Sequence, residues 1–76
     1  MVITKRFKRL DTFYVHTANR RYVIEAYGLA SALYKTGKTF NEIETVYRRD
    51  EEENKLLLIP KTEVYRVMTK LEMVEV

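Results

Sequence analysis

The sequence predicts an α+β protein of two layers, an antiparallel sheet of four to six strands with one or two short helices packed on one face. Three observations lead there. β-branched and aromatic segments with period-two patterning recur along the chain. A clear run of helix formers lies between Gly28 and Gly37. The 76 residues hold two glycines and one proline, which leaves room for a single domain spanning residues 1–76 and no linkers.

Residues 2–10 read as an edge strand. Ile3 and Phe7 share a face with Lys5 and Arg9, a pattern an edge tolerates because lysine there discourages illegitimate pairing. Residues 12–18 (TFYVHTA) form the next strand, with Phe13, Val15 and Thr17 facing one way and Tyr14, His16 and Ala18 the other. Asn19 and Arg20 supply a tight turn, since Asn tolerates a positive φ. Residues 21–27 (RYVIEAY) close a hairpin over 12–27, with Tyr22, Ile24 and Ala26 on one face. From Gly28 to Thr36 the pattern turns helical: Leu29, Ala32 and Leu33 fall at i, i+3 and i+4. Gly37 is placed to end that helix in the left-handed region, with Lys35 and Lys38 suited to its dipole. Such a short helix does not stand alone and must lie on a sheet.

Two segments carry competing periods. In residues 40–49 (FNEIETVYRR), Thr39 and Glu42 fit a capping box, and Phe40, Ile43 and Tyr47 fit helical spacing. Ile43, Thr45 and Tyr47 also alternate with charged residues, so a strand is favoured, paired through the acidic turn at residues 50–54 with the strand KLLLIP. Pro60 ends that strand because it cannot donate to a ladder. For residues 62–75 the β-propensity of Tyr65, Val67, Thr69, Leu71 and Met73 favours a strand, against a helical stripe of Val64, Val67, Met68 and Leu71. A helix there would make the chain ββα-ββα, a weak internal duplication in which YVIEAYGLASALYK matches KLLLIPKTEVYRVMTKL in pattern. The expected inward residues are Phe13, Val15, Ile24, Leu29, Leu33, Ile43, Leu57 and Ile59.

At 46% hydrophobic and 33% charged, the composition excludes a disordered chain and a membrane-embedded one. The longest apolar run, residues 56–59, is far short of the about 20 residues that span a bilayer. The start MVITKRFKRL lacks the apolar stretch of a secretory signal. Absence of cysteine excludes disulfides and thiolate metal sites and fits a reducing compartment, so a cytoplasmic location is expected. Six tyrosines and three phenylalanines must fill much of so small a core. Self-association, as a homodimer, is the usual further remedy for a core of this size.

Machinery for catalysis is not visible. Residues 32–39 (ALYKTGKT) resemble the tail of the Walker A motif of P-loop nucleotidases. That motif needs a strand, a glycine-rich loop and then a helix, whereas here its first half lies on the predicted helix and one glycine follows; the string reads as a helix C-cap. His16 is the sole histidine and has no carboxylate assigned to it by the pattern, so packing or a surface hydrogen bond is its expected role. Residues 50–53 lack the alternating ligands and glycine of a calcium loop. Ser31 has no GxSxG elbow around it. No catalytic, cofactor or metal site is therefore expected.

Charge carries the strongest signal. Residues 1–38 hold eight basic and two acidic residues, residues 39–76 six and nine. Lys5, Arg6, Lys8 and Arg9 on the first strand and Arg20 and Arg21 at the hairpin tip interleave with Phe7, Tyr14 and Tyr22. Tyrosine and arginine are enriched at interface hot spots, which makes Tyr14, Arg20, Arg21 and Tyr22, with the N-terminal cations, a candidate protein-binding surface. The acidic residues Glu42, Glu44, Asp50, Glu51, Glu52 and Glu53 form an alternative one, able to imitate phosphates to a cationic partner. The chain resembles in genre the small accessory proteins of phages and mobile elements, such as inhibitors of host defence or transcription. The expected function is a non-catalytic binding or regulatory protein that acts through a macromolecular surface on a protein partner. The rival reading is a nucleic-acid-binding module that uses the basic strand and hairpin tip, with cations on phosphates and rings on bases.

Overall fold

A computed structural model describes residues 10–74. The predicted strand over residues 2–10, and with it Lys5, Arg6, Lys8 and Arg9, lies outside the described residues. Four strands, β1 (Asp11–Thr17), β2 (Arg21–Ala26), β3 (Ile43–Asp50) and β4 (Lys55–Ile59), pair antiparallel in the order β2-β1-β3-β4. Helices α1 (Leu29–Thr36) and α2 (Lys61–Lys70) follow β2 and β4. Both helices pack on one face of the sheet, as the common cluster of Val15 and Val46 with Leu33, Val64 and Met68 shows. The fold is thus α+β and two-layered, as predicted.

Local chemistry explains most element boundaries. The β1–β2 link is closed by Thr17, whose backbone N–H and hydroxyl both donate to the Arg20 carbonyl, at 2.8 and 3.1 Å. Asn19 keeps a negative φ, so the expected left-handed turn at Asn19-Arg20 is replaced by a wider link held by threonine. Helix α1 ends as predicted at Gly37, φ 68°, whose N–H donates to the Tyr34 carbonyl. Residues 40–49 satisfy both of their patterns in succession. Thr39 and Glu42 do form a capping box, but on a single 3-10 turn (Phe40–Glu42), and the strand begins at Ile43. In the β3–β4 turn Asp50 Oδ1 accepts the N–H groups of Glu52 and Glu53, and Asn54 takes the positive φ of 53°.

The C-terminal segment departs from expectation: it is helix α2, not a strand. Val64 and Met68 are fully buried, and Val67 and Leu71 pack against the same cluster. A stripe at 64, 67, 68 and 71 matches the open flank beside α1, and burial of that stripe outweighs the β-propensity of Tyr65, Val67 and Thr69. Pro60 occupies the N-cap position; Glu63 in the first turn and Lys70 in the last are both favourable to the dipole. The helix closes in a Schellman motif: Glu72 at φ 58° donates to Thr69, and Met73 donates back to Met68 at 2.9 Å. The chain therefore reads ββα-ββα, with the two first strands, β1 and β3, adjacent at the sheet centre.

Of the eight expected inward residues, Phe13, Val15, Leu33 and Ile43 are buried, while Ile24, Leu29, Leu57 and Ile59 are half-buried. The core of the described residues contains no polar or charged side chain.

Candidate functional site

Since two helices cover only one side of the sheet, the alternation of strand side chains decides what meets solvent on the other. With Phe13, Val15 and Val46 inward, the outward set is Thr12, Tyr14 and His16 on β1, Arg21, Val23 and Glu25 on β2, Thr45, Tyr47 and Arg49 on β3, and Leu56 and Leu58 on β4. Register aligns four of them: Tyr14 pairs with Val23 on one side and Tyr47 on the other, and Tyr47 pairs with Leu58. One apolar row, Val23–Tyr14–Tyr47–Leu58, thus crosses all four strands. It is open: Val23 is 57% exposed, Leu58 60% and the adjacent Leu56 50%. Isolated exposed apolar residues are ordinary, but a contiguous row is a mark of contact surfaces.

Polar groups border the row. The Arg21 guanidinium lies 5.7 Å from the centre of the Tyr14 ring, within cation–π range. The His16 and Tyr47 rings pack at 5.4 Å between centroids, tilted by 56°. Arg49 Nη2 donates to Asn54 Oδ1 at 2.9 Å. Tyr14, Arg21, Arg49, Asn54, Lys55 and Leu56 enclose a shallow hollow of about 360 Å³. Lys55 is paired with Glu53 at 2.7 Å. Neither Arg21 nor Glu25 makes an ion pair with any described residue.

The predicted basic and aromatic surface is divided by this geometry. Tyr14 and Arg21 belong to the helix-free face. Tyr22 packs on the core from the helix side, and the cations nearest it are Arg20 at 5.8 Å and Lys38 at 5.9 Å. Adjacent residues on a strand point opposite ways, so Arg20 and Arg21 part company at the start of β2. The predicted acidic surface is divided as well. Glu42 and Glu44 lie where β3 begins; Asp50, Glu51, Glu52 and Glu53 lie where it ends, about 20 Å away by strand rise. Glu42 is engaged locally: the Thr39 backbone N–H, and then its hydroxyl and Lys38, hold its carboxyl below the ordinary value. Asp50 is the acceptor that shapes its own turn.

Sequence reasoning missed Val23, Tyr47, Arg49, Leu56 and Leu58 as surface residues. The signal was present in KLLLI, which is apolar in both phases of a strand; an edge strand over one layer of helices must expose one of them. Among the described residues no group of three or more His, Asp or Glu side chains could hold a metal ion, and no helix is long and apolar enough to cross a membrane. The fold and surface together define a class, a small ββα-ββα sheet protein with one bare aromatic face. The chain matches no family model, no curated protein and no solved structure.

Proposed function

We propose that this chain is a non-catalytic protein-binding module whose working surface is the helix-free face of its sheet. The row Val23–Tyr14–Tyr47–Leu58 carries the reading. Two tyrosines at its centre, aliphatic side chains at both ends and arginines beside it match the composition of interface cores, in which aromatics and arginine are enriched. Charge supports a protein partner over a nucleic acid. Residues 10–74 contain ten basic and ten acidic residues, so the folded body has no net attraction for phosphates. Occupying a partner through such a face regulates it without chemistry, and a chain without cysteine suits a reducing compartment.

The test is affinity capture from lysate of the native host, with wild-type chain beside a Val23→Glu/Leu58→Glu variant whose fold is checked by far-UV circular dichroism. A partner retained by the first and lost by the second is expected. Equal retention by both would overturn the reading. One observation favours the nucleic-acid alternative: Tyr14 and Tyr47 stand side by side on the central strands, with Arg21 over one ring, as a platform for stacked bases. Single-stranded oligonucleotide binding that falls linearly on a log–log salt plot and is abolished by Tyr14→Ala/Tyr47→Ala would replace the protein reading with that one.

A further inference from the structure

The helix-free face is self-complementary in charge, and from this we infer that its partner is a second copy of this chain, packed face to face with strands antiparallel. The inference rests on the reading of that face as a protein-binding surface and names the occupant.

On β2 the outward residues run Arg21, Val23, Glu25: a cation, an apolar residue and an anion at equal spacing, with both charged side chains exposed and neither ion-paired with a described residue. The whole molecule repeats that polarity. Strand β1 runs toward the tip that bears Arg20 and Arg21, and β3 runs back the other way to the turn of Asp50, Glu51, Glu52 and Glu53. A net cationic end, where Arg20, Arg21 and Lys38 outnumber Glu42 and Glu44, and a net acidic end, where Asp11, Asp50, Glu51, Glu52 and Glu53 outnumber Arg48, Arg49 and Lys55, thus stand at opposite ends of the sheet, with the apolar row across the middle.

In the aligned class of sheet packing, the one in which an apolar row meets its own counterpart along its length, strands stay within about 30° of parallel or antiparallel, and a closed pair needs a two-fold axis. If that axis followed the strands, each tip would meet its like and the assembly would be repelled. If it follows the row, opposite tips meet. Val23, Tyr14, Tyr47 and Leu58 then lie on the axis against their own counterparts, Arg21 stands opposite the partner's Glu25, and Glu25 stands opposite the partner's Arg21. The pairing occurs twice, as an isologous interface requires. Four strands spaced about 4.8 Å and about six residues long make a face of about 400 Å² in projection. The two faces together amount to about 800 Å² in projection, below the about 1,200 Å² of stable specific interfaces, so a weak dimer that dissociates at micromolar concentrations is expected.

Sedimentation equilibrium of the full chain over about 5–500 μM, a range set by that interface size, tests the arrangement. A monomer–dimer equilibrium is expected. Arg21→Glu and Glu25→Arg should each weaken it about tenfold or more, because each places two like charges in contact. The double variant, Arg21→Glu with Glu25→Arg, should restore it to within about threefold of wild type, a recovery that general damage to the surface would not give. A dimer indifferent to both single reversals, as one joined along the β4 edge would be, overturns the inference. So does a chain that stays monomeric throughout. Either failure leaves the host-lysate result with Val23→Glu/Leu58→Glu to decide separately whether the face binds a different protein.

Discussion

Met68 and Leu58 have comparable apolar bulk and opposite fates, and the fold stands or falls on the difference between them. Met68 is wholly buried on α2 in the cluster with Val15, Leu33, Ile43, Val46 and Val64. Truncating a buried methionine to alanine costs about 2–5 kcal/mol, the lost transfer energy plus the cavity left behind. A domain of this length has in all about 4–11 kcal/mol of stability. Met68→Ala should therefore lower the melting temperature by about 8–40 °C, at about 4–8 °C per kcal/mol for a chain this small. Leu58 is 60% exposed on the other side of the sheet, and Leu58→Ser should change monomer stability by less than about 0.5 kcal/mol. Urea and thermal unfolding followed by far-UV circular dichroism, at a concentration low enough to keep the chain monomeric, measure both. The comparison also tests the C-terminal helix. In a strand, Met68 would share a face with Arg66 and Lys70 and could not be buried. A Met68→Ala change within 0.5 kcal/mol of neutral, or a Leu58→Ser cost equal to that of Met68→Ala, would refute the reasoning.

The two left-handed helix ends give substitutions of opposite sign. Glu72 holds φ 58° at the position of the Schellman motif that glycine fills best, so Glu72→Gly should raise stability by about 0.5–1 kcal/mol, while Gly37→Ala, at φ 68° with open space around it, should lower it by about 1 kcal/mol; chemical denaturation reads both. The capping carboxylate gives a pH signature. Glu42 in the folded chain lies below its ordinary value of 4.5, chiefly through the Thr39 N–H. Its contribution is thus fully present above 4.5 and is lost as pH falls through the lower folded value. Glu42→Gln should lower stability in the neutral region to the level that wild type reaches once Glu42 is protonated, leave the acid end nearly unchanged, and so remove this group's part of the acid limb.

How much of this was legible in the sequence depended on whether a local rule had one reading or two. The β1–β2 hairpin and α1 were legible because alternation through Phe13 and Val15, and then Leu29, Ala32 and Leu33 before Gly37, leave one period each. Residues 40–49 hold a capping signal and a strand pattern that are both correct, in succession, because a 3-10 turn needs only three residues before Ile43. The C-terminal helix was misread because Val64, Tyr65, Val67 and Thr69 favour strands locally, and the decisive quantity, the open flank of the sheet beside α1, belongs to the assembled molecule. The surface was half-legible for a related reason. Tyr14 and Arg21 could be singled out by type, but their separation from Arg20 and Tyr22 follows from strand phase. Their company with Tyr47, Val23 and Leu58 follows from a register between segments far apart in the chain.

That register also explains why the bare face is the place to look for function. Two short helices cover one side of a four-stranded sheet, and the other side gains only the small cross-strand contribution of its branched aliphatic residues: a polar residue at 23, 56 or 58 would leave the core cluster untouched. In water such residues favour contact with another surface, and here they lie in line with paired tyrosines rather than scattered. The charges around them add orientation, because Arg21 and Glu25 are held at fixed spacing by the strand and neither forms an ion pair with a described residue. A face apolar along one axis and polarised along the other distinguishes one docking direction from its reverse, and that is the property a specific protein contact requires.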